Sequence, residues 1–385
     1  MKAAIIYSQF YDSYGNTIKI GGIETYLNNL AKLLAEMQYS VTIFQSSHLE
    51  FVKKMDNITI IGVPIANLSR NRKRHALYRR ASCWLDGENG LLIFGADHFS
   101  VPTNNPKAIS IQHGVSWDLP AKYYTRKSGA IAQIVSIFRK YLDRLNAAKY
   151  FDNCLNRVCV DYNYLNWRRT TCLSEPKGRI WVIPNFMSQC LNKEIILERN
   201  KINKPEIEIL FARRFTKSRG TELMIHAIKE ISSRYNNVNF TFAGEGEEEE
   251  RLRSELRDYK VTFTKYASSQ SMEFHSHYDI AVIPSLGSEG TSLSVIEAMG
   301  AGCAVVATSI GGITNIVIND YNGLLVAPEP KALAHSLEQL INDRNLRLRL
   351  GQNAYAVAEH SFSLEKWKDQ WANVIREVSN KEQRT

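Results

Sequence analysis

The sequence has no long hydrophobic run and no closely paired cysteines, and each absence excludes a class. The opening MKAAIIYSQF carries one lysine and an apolar run that soon turns polar. That run is too short for a signal-peptide core and far too short to span a bilayer, so a cytoplasmic protein is expected. The six cysteines, Cys83, Cys154, Cys159, Cys172, Cys190 and Cys303, form no CxxC pair and have no histidine at zinc spacing. Reduced buried thiols are therefore expected, rather than disulfides or a zinc site. Only 10 prolines and 21 glycines occur in 385 residues, which excludes a long disordered or low-complexity tract. No internal repeat and no DxD triplet is visible.

What is present is the composition of a folded protein, 44% hydrophobic and 23% charged. The chain is too long for one ordinary core, so two domains are expected. The net charge of +9 is unevenly spread: residues 1–190 carry 24 Lys and Arg against 13 Asp and Glu, and the remainder carries 24 against 26. The densest basic run is SRNRKRHALYRR, with Arg70, Arg72, Lys73, Arg74, Arg79 and Arg80, followed by Lys122, Arg126 and Lys127. Such a surface attracts phosphates or anionic headgroups. It lacks the helix-turn-helix, zinc or RNP-like pattern of a nucleic-acid binder, and no nucleic-acid partner is expected.

The opening AAIIYSQ reads as a buried strand and IETYLNNLAKLLAEM as a helix with one apolar stripe, joined by a glycine loop. Apolar runs then recur as VTIF, ITIIG, LLIF and AISIQ, with little internal alternation. This suits parallel strands covered on both faces, a doubly wound α/β domain over residues 1–188. After the strand IWVIPNF the chain turns polar, and residues 189–206 are expected as a linker. A second α/β set over 207–360 runs through IEILFA, NFTFAGEG, KVTFT, DIAVIPS, CAVVAT and GLLV. The tail from 361 to 385 shows Leu364, Trp367, Trp371, Val374 and Ile375 at helical spacing. That apolar face needs cover, and the helix is expected to cross back onto the first domain.

Three segments carry candidate chemistry. Gly21 and Gly22 lie between the first strand and helix, where N–H groups could face an anion, although a lone glycine pair there is more often plain turn chemistry. FARRFTKSRG brings Arg213, Arg214 and Arg219 to one loop, as a phosphate clamp or as a solvated charge cluster. In PSLGSEGTSLSVIEAMGAGCAVVATSIGG, Glu289 and Glu297 are eight positions apart, with Gly290, Thr291, Ser292 and Leu293 between them at a helix start. Glu297 then falls inside the helix and Glu289 in the loop before it, which gives the two carboxylates different jobs.

With these residues in view, the chain resembles the retaining glycosyltransferases of family 4, which have the GT-B fold, over nearly its whole length. GGIET looks like the family's first glycine loop, IQHGV like its active-site histidine segment and VIPNF like its interdomain strand. FARRFTKSRG looks like its phosphate clamp, EGTSLSVIEAMGAGCAVVAT like its two-glutamate donor motif, and SIGGITNIVINDYNGLLV like the strand and loop next to that motif. The resemblance implies two Rossmann-like domains facing each other across a cleft and a hexosyltransferase using a nucleotide-diphosphate sugar, UDP- or GDP-linked. Arg214, Arg219, the N–H groups near Ser292 and Leu293, and Gly22 would hold the diphosphate. Glu297 would take the ribose hydroxyls, Glu289 the sugar hydroxyls, and His113 would lie beside the anomeric centre. Backbone near Lys265 and Tyr266 would carry the base, and Gly21, Arg213, Gly290 and Thr291 would line the donor site.

Five positions depart from the family pattern: Thr291-Ser292 stands for the common Phe-Gly, Arg213 for a glycine, Arg219 for a lysine and Asn315 for a glutamate. The resemblance further implies retention of configuration without a metal or other cofactor, since fixed cations and helix N–H groups would stabilise the departing diphosphate. A glycan or lipid-linked acceptor is expected, anionic in view of the basic N-terminal half, in bacterial surface polysaccharide or glycolipid synthesis. A catalytically inert sugar-nucleotide binder, and an epimerase or hydrolase using water, share the same donor site and stay open as readings. The segment AIAQIVSIFRKYLDRLNAAKY is an amphipathic helix that either lies at a membrane interface or buries its stripe in the first domain. Burial is the expectation, with at most peripheral contact to an anionic membrane.

Overall fold

The computed structural model describes residues 1–19, 21–87, 90–115, 117–120, 130–202, 204–287 and 289–380. Lys122, Arg126 and Lys127 of the basic surplus lie outside the described residues. The chain divides into two compact units, one comprising Met1–His113, Tyr141–Pro184 and Trp367–Thr385, the other Gly114–Lys140 and Asn185–Lys366.

The first unit is built on an eight-stranded sheet in the order β3-β4-β2-β1-β5-β6-β7-β8. Its strands are β1 (Lys2–Ile6), β2 (Ser40–Ser47), β3 (Phe51–Met55), β4 (Ile58–Pro64), β5 (Leu91–Phe94), β6 (Ala108–Gln112), β7 (Asn156–Cys159) and β8 (Arg179–Val182). All pair in parallel except β3, which folds back on β4 as an antiparallel edge. Ala3 to Ile6 and Leu91 to Phe94 are fully or almost fully buried, the two-sided cover that unbroken apolar strands require. Among the described residues, α1 (Gly22–Glu36), α2 (Arg70–Trp84) and α4 (Tyr162–Cys172) belong to this unit, and α3 (Ala130–Phe151) is divided between the two units after Lys140. The basic run singled out in the sequence is α2.

The second unit holds a six-stranded, all-parallel sheet in the order β11-β10-β9-β12-β13-β14. The strands are β9 (Ile207–Ala212), β10 (Val238–Ala243), β11 (Val261–Thr264), β12 (Ile280–Ile283), β13 (Ala304–Thr308) and β14 (Leu324–Val326). Its helices are α5 (Lys193–Lys201), α6 (Thr221–Ser232), α7 (Glu249–Glu255), α8 (Ser271–His275), α9 (Leu293–Gly300), α10 (Pro330–Asn342) and α11 (Arg344–Ser361), and α12 (Leu364–Ser379) closes the chain. One apolar core runs through Phe211, Phe240, Ile280, Val306 and Leu337, and another through Leu210, Ile296, Met299 and Val305.

Three expectations need correction. The stretch 189–206 is not an open linker: Asn192 caps α5 by accepting from the Glu194 N–H at 2.8 Å, and Ile196 is buried. Four guanidinium contacts from Arg199 then bind α5 to the carbonyls of Ser276, Tyr278, Ala301 and Gly302. The first unit also departs from a continuous 1–188, because Gly114–Lys140 belongs with the second unit, whereas Trp367–Thr385 joins the first, as expected of the tail. Finally, α3 exposes its apolar stripe instead of burying it: Ile131, Ile134 and Phe138 are 79%, 67% and 63% exposed. At the C-terminus, Trp367 and Trp371 of α12 are buried against Tyr26 of α1, and the Trp371 indole N–H donates to the Tyr26 hydroxyl at 2.7 Å.

Candidate active site

In the second unit the sheet's carboxyl ends gather the residues singled out in the sequence. β9 ends at Ala212, so Arg213 and Arg214 emerge where the strand stops, and a 3-10 turn at Lys217–Arg219 then carries Arg219 to the start of α6. Gly220 makes this turn possible. Its φ of +82° is left-handed, and a Cβ there would run into the Pro284 carbonyl.

The arginines converge on Glu289. Its Oε1 accepts from Arg213 Nη2 at 2.5 Å and from the Ser285 hydroxyl at 2.6 Å, and Arg219 Nη1 donates to the same oxygen. Arg213 also donates to the Ser285 hydroxyl. Burial would by itself raise the Glu289 pKa, but Arg213, Arg219 and Ser285 outweigh it and hold the carboxyl below its ordinary value. Burial lowers Arg213, against the pull of Glu289, yet a guanidinium remains charged at neutral pH. Arg213 and Glu289 are both almost fully covered, whereas the Arg219 side chain keeps 29% of its exposure and Arg214 is exposed.

The loop after Glu289 is held at close range. Its carbonyl accepts from the Gly312 N–H at 2.9 Å, and Asn185 Nδ2 donates to the Thr291 carbonyl at 2.6 Å. Gly114, at φ +111°, approaches Gly290 so closely that a Cβ would sit 3.0 Å from the Gly290 Cα and N. Thr291 and Ser292 are buried, and Ser292 stands at the N-cap of α9 without a side-chain cap, so the helix start retains N–H groups for an anion. Leu293 is the first residue of α9. One helical turn on, burial pushes the Glu297 carboxyl up to about 7, opposed only by the Ser271 hydroxyl.

Tyr266 stacks on Phe274 with ring centroids 4.4 Å apart, and its hydroxyl is pushed up by burial and by Glu297. Lys265 beside it is exposed and paired with Glu245 at 2.6 Å. Sequence reasoning passed over Ser285, Asn185 and Ser271, because a serine or asparagine beside a strand end gives no local signal of its partner. Among the described residues no three His, Cys, Asp or Glu side chains gather as a metal-ligating set.

In the first unit, His113 directly follows β6. Its Nε2 lies 2.8 Å from the Gly95 carbonyl, which can only accept, so the proton is on Nε2 and Nδ1 keeps its lone pair. Burial lowers His113 to about 4, leaving the ring neutral at physiological pH. Gly21 caps α1 in extended backbone with φ −159°, and the Glu24 carboxylate folds back over it, held by the Tyr7 hydroxyl at 3.1 Å. Beyond β5, burial pushes Asp97 up to about 7 and His98 down to about 4. β1 and β5 flank the point where strand order reverses, the position at which open α/β sheets bind ligands.

Residues 192–357 match the family model described as glycosyl transferases group 1. Over nearly its full length the chain is 24% identical to an uncharacterized glycosyltransferase of Methanocaldococcus jannaschii, covering 94% of this chain and 96% of that protein. The chain is a glycosyltransferase with a group 1 domain. A phosphatidyl-myo-inositol mannosyltransferase of Mycolicibacterium smegmatis is 22% identical to this glycosyltransferase over 85% of the chain and 83% of its own length. Among solved structures, sucrose-phosphate synthase from Thermosynechococcus elongatus superposes with a TM-score of 0.74 at 17% identity, covering 98% of each chain. The glycosyltransferase therefore has the GT-B fold, two Rossmann-like parallel-sheet units.

Proposed function

We propose that this glycosyltransferase moves a hexose from a UDP- or GDP-linked sugar to a glycan or lipid-linked acceptor, with retention of configuration and without a metal ion. The observation that carries the reading is the gathering of Arg213, Arg219 and Ser285 on Glu289, next to the uncapped start of α9 and the buried Glu297. A departing diphosphate develops negative charge where Arg214, Arg219 and the α9 N–H groups can meet it, and fixed donors strengthen as that charge grows. Arg219 would leave Glu289 for the diphosphate, freeing carboxylate capacity for the sugar hydroxyls. Glu297 would receive the ribose diol, Tyr266 and Lys265 would border the base, and His113 would offer Nδ1 as an acceptor to a sugar hydroxyl. The acceptor hydroxyl attacks from the leaving-group face and passes its proton to the diphosphate oxygen.

The mannosyltransferase relative's name states a phosphatidylinositol acceptor, which supports a glycolipid or surface polysaccharide product and peripheral contact with an anionic membrane at the cytoplasmic face. The test is a thermal-shift screen against UDP, GDP and ADP and their sugar conjugates, with and without EDTA. One nucleotide family should raise the melting temperature equally with chelator present, by an amount corresponding to about 2.7 kcal/mol at one hundred times the dissociation constant. No shift with any of them overturns the donor site. His113→Ala should lower turnover by at least about tenfold, the scale of one lost hydrogen bond in the transition state. Unchanged turnover would remove His113 from the site.

A further inference from the structure

The helix α3 is amphipathic the wrong way round for a buried element. Its covered side is polar or small in the middle: Ser136 is buried, Lys140, Asp143 and Ala147 are half-buried, and Lys140 Nζ donates to the Leu119 carbonyl at 2.6 Å. The outward side carries Ile131, Ile134, Val135, Phe138, Tyr141, Leu142 and Leu145, all exposed. At 100° per residue these seven fall within one continuous stripe, while Arg139 lies along one edge and Arg144 along the other, both exposed. An apolar face of this length on one helix is not the scatter of single exposed hydrophobics that any surface shows.

Its surroundings say what covers it. Arg74 of α2 stacks over the Tyr150 ring at 4.4 Å and donates to the Ser100 carbonyl at 3.1 Å, and the Ser100 hydroxyl donates to the Tyr150 carbonyl at 2.7 Å. These contacts set the basic helix α2 against the C-terminal turn of α3, with Arg70, Arg72, Arg79 and Arg80 exposed. The apolar stripe is thus edged by arginines, and the cationic helix α2 meets the end of the same helix at Tyr150, in the half of the chain that holds the whole positive surplus. We infer that α3 lies in the interface of an anionic lipid bilayer, its Ile131-to-Leu145 stripe among the acyl chains and Arg139 and Arg144 at the phosphate level. No helix among the described residues is long and apolar enough to cross a membrane, so the contact is one of lying on the surface. The inference gives the lipid-linked acceptor reading its docking surface, but vesicle binding is measured without donor, so each can fail alone.

The experiment floats the full chain with phosphatidylcholine vesicles, and with vesicles also containing phosphatidylglycerol. Wild type should float with the anionic vesicles and release as salt is raised. Ile134→Glu with Phe138→Glu should abolish flotation while leaving the melting temperature and the nucleotide-induced shift unchanged, since both side chains face solvent. Arg139→Gln with Arg144→Gln should weaken the partition by about fivefold per cation removed. Three outcomes overturn the inference: no flotation with anionic vesicles, equal flotation of the glutamate variant, or a wild-type dimer in solution that the glutamate variant converts to monomer. The last would assign the stripe to a second copy of the chain.

Discussion

Glu297 and Arg213 show how burial sets what single side chains can do. A ribose diol donates to a carboxylate, so Glu297 must be ionised to bind it, and burial puts that ionisation near pH 7. Donor affinity should fall by about tenfold for each pH unit below that value, and Glu297→Gln should bind weakly with a flat profile; calorimetric titration across pH checks both. The same shift sets the sign of the stability effect. Because the folded pKa lies above the ordinary carboxyl value, the folded state holds the proton better, and that contribution is lost as pH rises from about 4.5 through about 7. Glu297→Gln should therefore gain stability relative to wild type on the alkaline side, as denaturant midpoints would record. Arg213, where the resembled family has glycine, contacts Glu289 and Ser285. Arg213→Gly should cost about 3 kcal/mol of unfolding free energy by leaving Glu289 less compensated, and it should weaken donor binding. A loss below about 1 kcal/mol would mean that Arg219 and Ser285 suffice.

At the scale of elements, the strands and helix starts of the second unit were legible because each carries its own signal. DIAVIPS and CAVVAT are short apolar runs, and the glycines after them mark turns that only glycine makes. Gly220 illustrates the point. Gly220→Ala should destabilise by about 2 kcal/mol or more, since a left-handed φ and the Pro284 carbonyl both oppose a Cβ, and a thermal melt would show it. The hairpin edge β3 was not foreseen, because FVKKM alternates too weakly and its pairing with β4 rests on the Asp56 turn at φ +52°. Nor was α5, where a charged stretch reads as linker until Ile196 and Arg199 find partners far along the chain.

For the whole molecule, the N- and C-terminal ends are tied within one unit. Lys368 pairs with Glu36 at 2.7 Å, and Trp371 is fully buried beside Tyr26. Trp371→Ala should cost about 3 to 5 kcal/mol and should unfold the first unit before the second, visible as a split of one melting transition into two. A single unsplit transition would show that the units unfold together. The charge asymmetry belongs to this scale as well, because composition alone assigns the positive surplus to the first half, while folding brings α2 to the C-terminal turn of α3 through Arg74 and Tyr150.

Periodicity, strand length and turn residues are local quantities, so the two α/β sets, the order of their strands along the chain and the residues that share a helix face could all be read from the chain before it folds. Glu289, Glu297 and the arginine loop came into view as chemistry in the same way. The partners those groups take are a matter of folding alone: Arg213 meets Glu289 across 76 positions, and no local pattern encodes a contact at that separation. The same limit applies to α3. A helical period states that the isoleucines and Phe138 lie together, but it is blind to which side the rest of the molecule covers, and here the covered side is the polar one.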